Sequence, residues 1–205
     1  KIDGIIADLG ISFHQVDEIE RGFSFRANAA IDMRMNTKGK SISADILNDY
    51  DEKSLIRIFR EYGELNNAYQ IVKVIIEKRN IEKFQETNQL VEALGKFAPR
   101  NAENKFFAKV FQALRIEVNN EMESLKEFLK AGVLLLNKGG RLVVISYHSL
   151  EDRLVKNFIR TGNFEGTIEK DVYGNFETSL NQLVKRPIVP SEKEIEENPR
   201  SRSAK

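Results

Sequence analysis

The chain opens with an almost unbroken apolar run, Ile2-Asp3-Gly4-Ile5-Ile6-Ala7, that stops at Asp8-Leu9-Gly10. Continuous rather than alternating apolar character predicts a strand buried in a parallel sheet. From Ser12 to Lys40 no period dominates. Gly, Asn, Asp and Arg are interspersed with Phe and Met, the composition of a long functional or disordered loop. Helical spacing then takes over from Ser43 to about Phe97. Ser43 is placed to cap a helix carrying Ile46 and Leu47, and Asp51 to cap one with Leu55, Ile56 and Phe59 on one face. Asn67 to Lys78 sets Tyr69, Val72 and Ile76 along a stripe widened by Ile71, Val74 and Ile75. Thr87 opens a further helix that Gly95 and Pro99 close.

A longer amphipathic helix is predicted from Phe107, Val110, Phe111, Leu114, Val118, Met122, Leu125 and Leu129, which recur at three- and four-residue steps. Asn137-Lys138-Gly139-Gly140 reads as a turn and Arg141-Leu-Val-Val-Ile-Ser146 as a β-branched strand. Ser149, with Asp152 three residues on, reads as the cap of a helix through Leu154, Val155, Phe158 and Ile159. Weak alternation around Tyr173-Gly174-Asn175 and Leu183-Val184 suggests a terminal hairpin or extended segment. Strand, helices, long helix, strand, helix is the order of an α/β sheet interrupted by a helical subdomain. The expected divisions are residues 1–41, the helical insertion 42–104, and 105–205.

Composition narrows the class. Of 205 residues, 41% are apolar and 31% charged, with a net charge of +1, as in an ordinary globular chain. No apolar run approaches a membrane span, so no membrane partner is expected. There is no cysteine and there are two histidines, which removes thiolate catalysis and makes a multi-histidine metal site unexpected. The same usage fits a reducing cytosol, and the expected location is cytoplasmic. The cations Arg200, Arg202 and Lys205 form a short basic tail, suited either to phosphates or to a solvated, frayed terminus. The chain begins at Lys1 inside what reads as a strand, and on that ground a fragment is expected.

Three groups of residues carry candidate chemistry. Asp8, at the carboxyl end of the first strand, lies where open α/β sheets bind ligands, and Gly10 lets backbone approach one. The alternative is a simple strand-to-loop turn. Arg21, Phe23, Phe25 and Arg34 interleave cations with aromatics in the long loop, suited to phosphates and bases or to pinning the loop. Ser146-Tyr147-His148-Ser149 ends the second strand. Ser149 with His148 as an esterase pair is a weak reading, because neighbouring residues rarely face each other and no Gly-x-Ser-x-Gly elbow exists. A substrate or cofactor contact fits better. The glycines include neither a dinucleotide fingerprint nor a P-loop.

These segments together resemble the MraW/RsmH family of methyltransferases. The residues that carry the likeness are Asp3-Gly-Ile-Ile-Ala-Asp-Leu-Gly-Ile-Ser12, Gln15, Arg21-Gly-Phe-Ser-Phe25, Asp32-Met-Arg-Met35, Tyr62-Gly-Glu64, Phe111-Gln-Ala-Leu-Arg-Ile116, Gly139-Gly-Arg-Leu142, Ile145-Ser146, His148-Ser-Leu-Glu-Asp-Arg153 and Asn198-Pro-Arg-Ser-Arg-Ser-Ala204. The resemblance implies part of a Rossmann-like class I methyltransferase sheet with an inserted α-helical subdomain. It implies transfer of a methyl group from S-adenosyl-L-methionine to N4 of a cytidine in small-subunit ribosomal RNA. The implied partner is that RNA or the ribosomal subunit, with a homodimer left open.

Of the family's cofactor contacts, Asp8 and Gln15 match. A Gly-Gly-His loop, a second acid and an aromatic belong to an N-terminal region not in this sequence, nor does it include the family's last strand. The piece alone is therefore expected to be inactive. Asp8, Ser12, His148 and Ser149 are the expected catalytic set, supplying acceptors to the amino group, and Arg21, Phe23, Phe25, Arg34, Arg200 and Arg202 the expected RNA contacts. Phe13-His14, Ala29-Ala30-Ile31, Leu65 and the segment Lys105 to Lys109 depart from the family pattern. The competing class is a non-catalytic RNA-binding or ribosome-assembly module built from the helices and the tail.

Overall fold

A computed structural model describes residues 1–168, 173 and 178–205, without the side chains of Phe13 and Val16. Of the expected terminal hairpin or extended segment, residues 169–172 and 174–177 lie outside the described residues, and the described part around Leu183-Val184 forms no strand. In chain order the elements are β1 (Ile2–Asp8), α1 (Phe13–Asp17), α2 (Ser43–Asp49), α3 (Glu52–Glu61), α4 (Ala68–Arg79), α5 (Thr87–Leu94), α6 (Glu103–Val118), α7 (Glu121–Leu135), β2 (Leu136–Ile145), α8 (Ser149–Thr161) and α9 (Glu192–Glu197). They divide into two compact units, Lys1–Gly10 with Met122–Lys205, and Ile11–Glu121. No described helix is long and apolar enough to cross a membrane.

The first unit is built on β1 and β2, which pair in parallel with Gly4 opposite Arg141 and Asp8 opposite Ile145. The expected turn at Asn137–Gly140 is instead an irregularity inside β2. Ile2 pairs with Leu136 and Gly4 with Arg141, so four residues of β2 bulge out against one of β1. Asn137 Nδ2 donates to Asp3 Oδ1 across it at 2.8 Å. Burial of β1 is partial, against the expectation of a strand covered on both faces. Ile5 reaches α7 at Gly132, where an added Cβ would stand 3.3 Å from its Cδ1. Ile6 and its register partner Val143 are exposed. Ile5 meets the helix at a position with no side chain, while Ile6 points to the opposite face.

The second unit holds the main hydrophobic core, which includes Ile31, Met33, Leu47, Leu55, Phe59, Ile71, Ile75, Leu90, Leu94, Phe107, Phe111 and Leu114. In α4 the buried face is Ala68, Ile71, Val72, Val74 and Ile75, while Tyr69 is 54% exposed. The stripe is thus rotated from the one drawn through Tyr69 and Ile76, because with so many apolar positions spacing alone does not choose the face. The single long helix expected after Phe107 is two, α6 and α7, broken at Asn119-Asn120, where Asn120 takes φ of 51°. Asn tolerates that left-handed backbone, so an uninterrupted apolar stripe did not reveal the break. Asp51 caps α3 as expected, accepting the Ser54 N–H at 2.7 Å. At α2 the cap falls differently: Ser43 is the first helical residue and buried, and the Asp45 carboxylate accepts the Ile42 N–H at 2.8 Å.

The irregular segment before α2 is stitched to this unit by backbone. Thr87 N–H donates to Ala29 O, Ile31 N–H to Gln85 O, and Ser43 N–H to Asp32 O, at 2.8 to 2.9 Å. Gly22 (φ 69°) lies so near Ala30 that a Cβ would stand 2.0 Å from its carbonyl oxygen, which leaves no room for a side chain. Asn119 closes the loop onto α6: its Oδ1 accepts the Met35 N–H at 2.6 Å, and its Nδ2 donates to Met33 O at 2.8 Å and Arg115 O at 2.9 Å. Arg57 Nη2 on α3 donates to both carboxylate oxygens of Glu117 on α6, at 3.0 and 2.9 Å.

Replacing Asn119 by Ala strands those part-buried groups and is expected to cost about 2 kcal/mol, read as a lower urea midpoint. Acid tests a second rivet. The Arg34 guanidinium bonded to Asp32 holds that carboxyl below the usual carboxylate range, against the opposing effect of burial. A carboxyl depressed in the folded state stabilises above its unfolded pKa, near 4, and that stability is lost as pH falls through the lower folded value. The urea midpoint should therefore drop on acidification below about pH 4, and Asp32→Asn should flatten part of that drop.

Candidate functional site

Parallel pairing sends both strand ends the same way. The carboxyl end of β1 delivers Asp8, and the carboxyl end of β2 delivers Ser146, Tyr147 and His148 beside it. Leu9 N–H donates to Ile145 O at 2.9 Å, extending the ladder past Asp8. Gly10 then turns away with φ of 88°. Asp8 itself is exposed, and its Oδ1 accepts a hydrogen bond from Tyr147 Oη at 2.7 Å. That bond, burial, and the charges of Asp8 and Glu151 push the Tyr147 phenol up to about 12, so it stays protonated and a donor at neutral pH.

The start of α8 is organised by a residue that sequence reasoning did not single out. Glu151 is 2% exposed, and its Oε2 accepts the Tyr147 N–H at 2.9 Å and the His148 N–H at 3.4 Å. In return His148 Nδ1 accepts the Glu151 N–H at 3.4 Å. His148 is therefore the cap, Ser149 the exposed first residue of the helix, and Glu151 the acid at the third position. The assignment to Ser149 and Asp152 is off by one, since an N-cap His accepts through Nδ1 much as Ser does through its hydroxyl. With Nδ1 accepting, the hydrogen of a neutral imidazole lies on Nε2. That nitrogen sits 3.2 Å from Glu151 Oε1 without the direction of a hydrogen bond. Both ring nitrogens of His148 therefore face into the cap, and Nε2 is buried there. The signal for Glu151 was present as an acid three residues beyond a polar residue at a strand end.

Two other expected site residues belong to the second unit, where they make a reciprocal cap at the start of α1. Ser12 Oγ accepts the Gln15 N–H at 3.3 Å, and Gln15 Oε1 accepts the Ser12 N–H at 3.0 Å. The spacing Ser-x-x-Gln is itself the capping-box signature. The loop residues are engaged in the same unit. Phe25 packs its ring 5.8 Å from Phe107 and 5.7 Å from Phe111, centroid to centroid, and Arg21 lies 5.2 Å over Phe23. Arg21 also donates to Arg34 O, while Arg34 is bidentate to Asp32 at 2.7 Å and reaches Gly39 O.

The tail docks in the first unit. Lys205 and Ser146 exchange backbone hydrogen bonds at 3.0 and 3.1 Å, and Lys205 Nζ lies 3.2 Å from Asp152. Ser201 is buried, with its Oγ donating to Asn198 O at 2.8 Å, while Arg200 and Arg202 are exposed. A basic turn is thereby tethered to the residue that follows β2.

The MraW methylase family model matches residues 1–205, the whole chain. Similar proteins named "Ribosomal RNA small subunit methyltransferase H" include one from Flavobacterium psychrophilum, 53% identical over all of this chain and 70% of its own length. Others from Bacteroides thetaiotaomicron and Cytophaga hutchinsonii are 52% and 48% identical over the whole chain, which covers 67% and 68% of their lengths. The strand edge, the capped helix start and the full-length match agree: the chain belongs to the MraW methylase family.

Proposed function

We propose that this chain supplies the substrate-facing part of an S-adenosyl-L-methionine-dependent methyltransferase that methylates N4 of a cytidine in small-subunit ribosomal RNA, in the cytoplasm. The observation that carries the reading is the edge at which Asp8 and Tyr147 meet beyond parallel strand ends, where α/β sheets bind ligands. The names of relatives about half identical to it support ribosomal RNA as the substrate class. The helical unit is read as an insertion into a Rossmann-like class I sheet of which β1 and β2 are two strands.

The residues present fit part of a cofactor site. Asp8 is an exposed carboxylate suited to a cationic or hydroxyl-bearing ligand, and Gln15, whose Oε1 is taken by Ser12, has Nε2 as a donor. When bound, S-adenosyl-L-methionine supplies an electrophilic methyl group on a sulfonium. The cytosine amino nitrogen is a weak nucleophile because its lone pair is delocalised into the ring. Asp8 accepts a hydrogen bond from that amino group and orients it. It takes the proton that the nitrogen must lose as it gains the methyl group, later passing it to solvent. His148 acts by holding the start of α8, whose Glu151 carboxylate fixes the Tyr147 N–H beside Asp8. Ser149, the exposed first residue of α8, adds a hydroxyl near the same strand end, and Ser12 is a catalytic candidate on the family resemblance alone. A base inside a folded RNA reaches such a site only unpaired or extruded. Arg200 and Arg202 hold its flanking phosphates. Arg21, Phe23, Phe25 and Arg34 shape the loop that bears on the RNA.

The relatives extend beyond the matched region, so the tests use the intact protein. Asp8→Asn is expected to slow methyl transfer to small-subunit RNA by on the order of 100-fold, and His148→Ala by roughly tenfold. The readouts are labelled methyl incorporation and mass spectrometry of N4-methylcytidine. Wild-type rates in both variants would sink the site assignment. A product methylated on another atom would sink the proposed specificity. Replacing Arg200 and Arg202 together by Ala should weaken RNA binding and make the plot of log affinity against log salt shallower, by about one for each phosphate the tail no longer neutralises. An unchanged slope would remove the tail from the interface.

A further inference from the structure

Tyr147 is fixed at three points, all in the first unit. Its N–H is held at 2.9 Å by the buried Glu151 carboxylate, which also caps α8. Its ring lies over Gly10, where an added Cβ would stand 3.7 Å from Cδ2. Its hydroxyl donates to Asp8 Oδ1 at 2.7 Å, joining residues 139 apart in the chain. A phenol so placed is a donor with one orientation. It is not a base, because the neighbouring carboxylates keep it protonated.

We propose that Tyr147 is a positioning residue for methyl transfer: its hydroxyl occupies one Asp8 oxygen and turns the other toward the substrate amine. This rests on the reading of Asp8 as the acceptor for that amine. An ionised carboxylate offers about four lone-pair directions over two oxygens, and an exposed one on a strand end swings among rotamers. A 2.7 Å charge-assisted bond from a residue whose backbone N–H is held by Glu151 restricts that freedom before substrate arrives. What Tyr147 contributes is therefore rate rather than affinity. Its effect passes through Asp8 alone.

Steady-state kinetics of the intact protein test this with a double-mutant cycle. Tyr147→Phe keeps the ring and the Glu151 bond and removes only the hydroxyl. It should lower kcat roughly tenfold while KM for RNA and for S-adenosyl-L-methionine stays unchanged. In an Asp8→Ala background, followed by single turnover, the same substitution should have no further effect. A tyrosine-ring NMR titration, assigned by loss of the signal in Tyr147→Phe, should place this phenol near 12 and move it down toward 10 in Asp8→Ala. Wild-type kcat in Tyr147→Phe, an equal loss in both backgrounds, or a phenol that does not move in Asp8→Ala each overturns the positioning role while leaving Asp8 in place. Wild-type turnover in Asp8→Ala instead overturns the Asp8 reading and this inference with it.

Discussion

Parallel pairing of β1 with β2 is the constraint on which the candidate site depends. Antiparallel strands would put the ends of the two runs at opposite edges of the sheet. Parallel ones bring Asp8 opposite Ile145 and set Tyr147 within hydrogen-bonding distance of the carboxylate. Parallel neighbours cannot be joined by a hairpin and need a long crossover. Here the intervening chain includes the whole helical unit before returning through α7 into β2. The bulge at Asn137–Gly140 absorbs a mismatch in strand length, so the register is regular where it matters, from Gly4 to Asp8.

Helix caps recur wherever polar residues of functional interest stand. His148 and Glu151 cap α8, and Ser12 and Gln15 cap α1. A cap immobilises a side chain through backbone amides that need a partner in any case, so order comes without a dedicated scaffold. It also consumes acceptor capacity. His148 Nδ1 and Gln15 Oε1 are both committed to caps and His148 Nε2 is buried, which leaves the Gln15 amide N–H groups for recognition. Asp8 differs, because its tether is a tyrosine hydroxyl that takes one lone pair and leaves the remaining acceptor directions outward.

In the second unit the same economy holds a long irregular loop. Arg34 and Asp32 pair within the loop, Arg21 ties its first turn to its later residues, and Asn119 fastens it to α6. Aromatics interleaved with arginines read equally well from sequence as an RNA surface or as anchors. The packing of Phe25 between Phe107 and Phe111 shows how much of that segment serves the fold.

The two strands, most of the helix content and the Asp51 cap were legible from residue types, because hydrophobic period and capping are local properties. So was the placing of Asp8 and of the Ser146–Ser149 segment at the ends of strands. The caps of α2 and α8, however, fall one residue before the expected serines. What local pattern left undecided came from contacts distant in sequence. The buried face of α4 was chosen by the core it meets, and the register of β2 by Ile2 and Gly4 of β1. The break at Asn119 follows from side-chain bonds to a loop more than 80 residues earlier. The pairing of Tyr147 with Asp8 had no sequence signal at all, since a tyrosine beside a histidine at a strand end shows nothing of the carboxylate it will face. That bond exists because two strands far apart in the chain share an edge, and only their pairing brings it about.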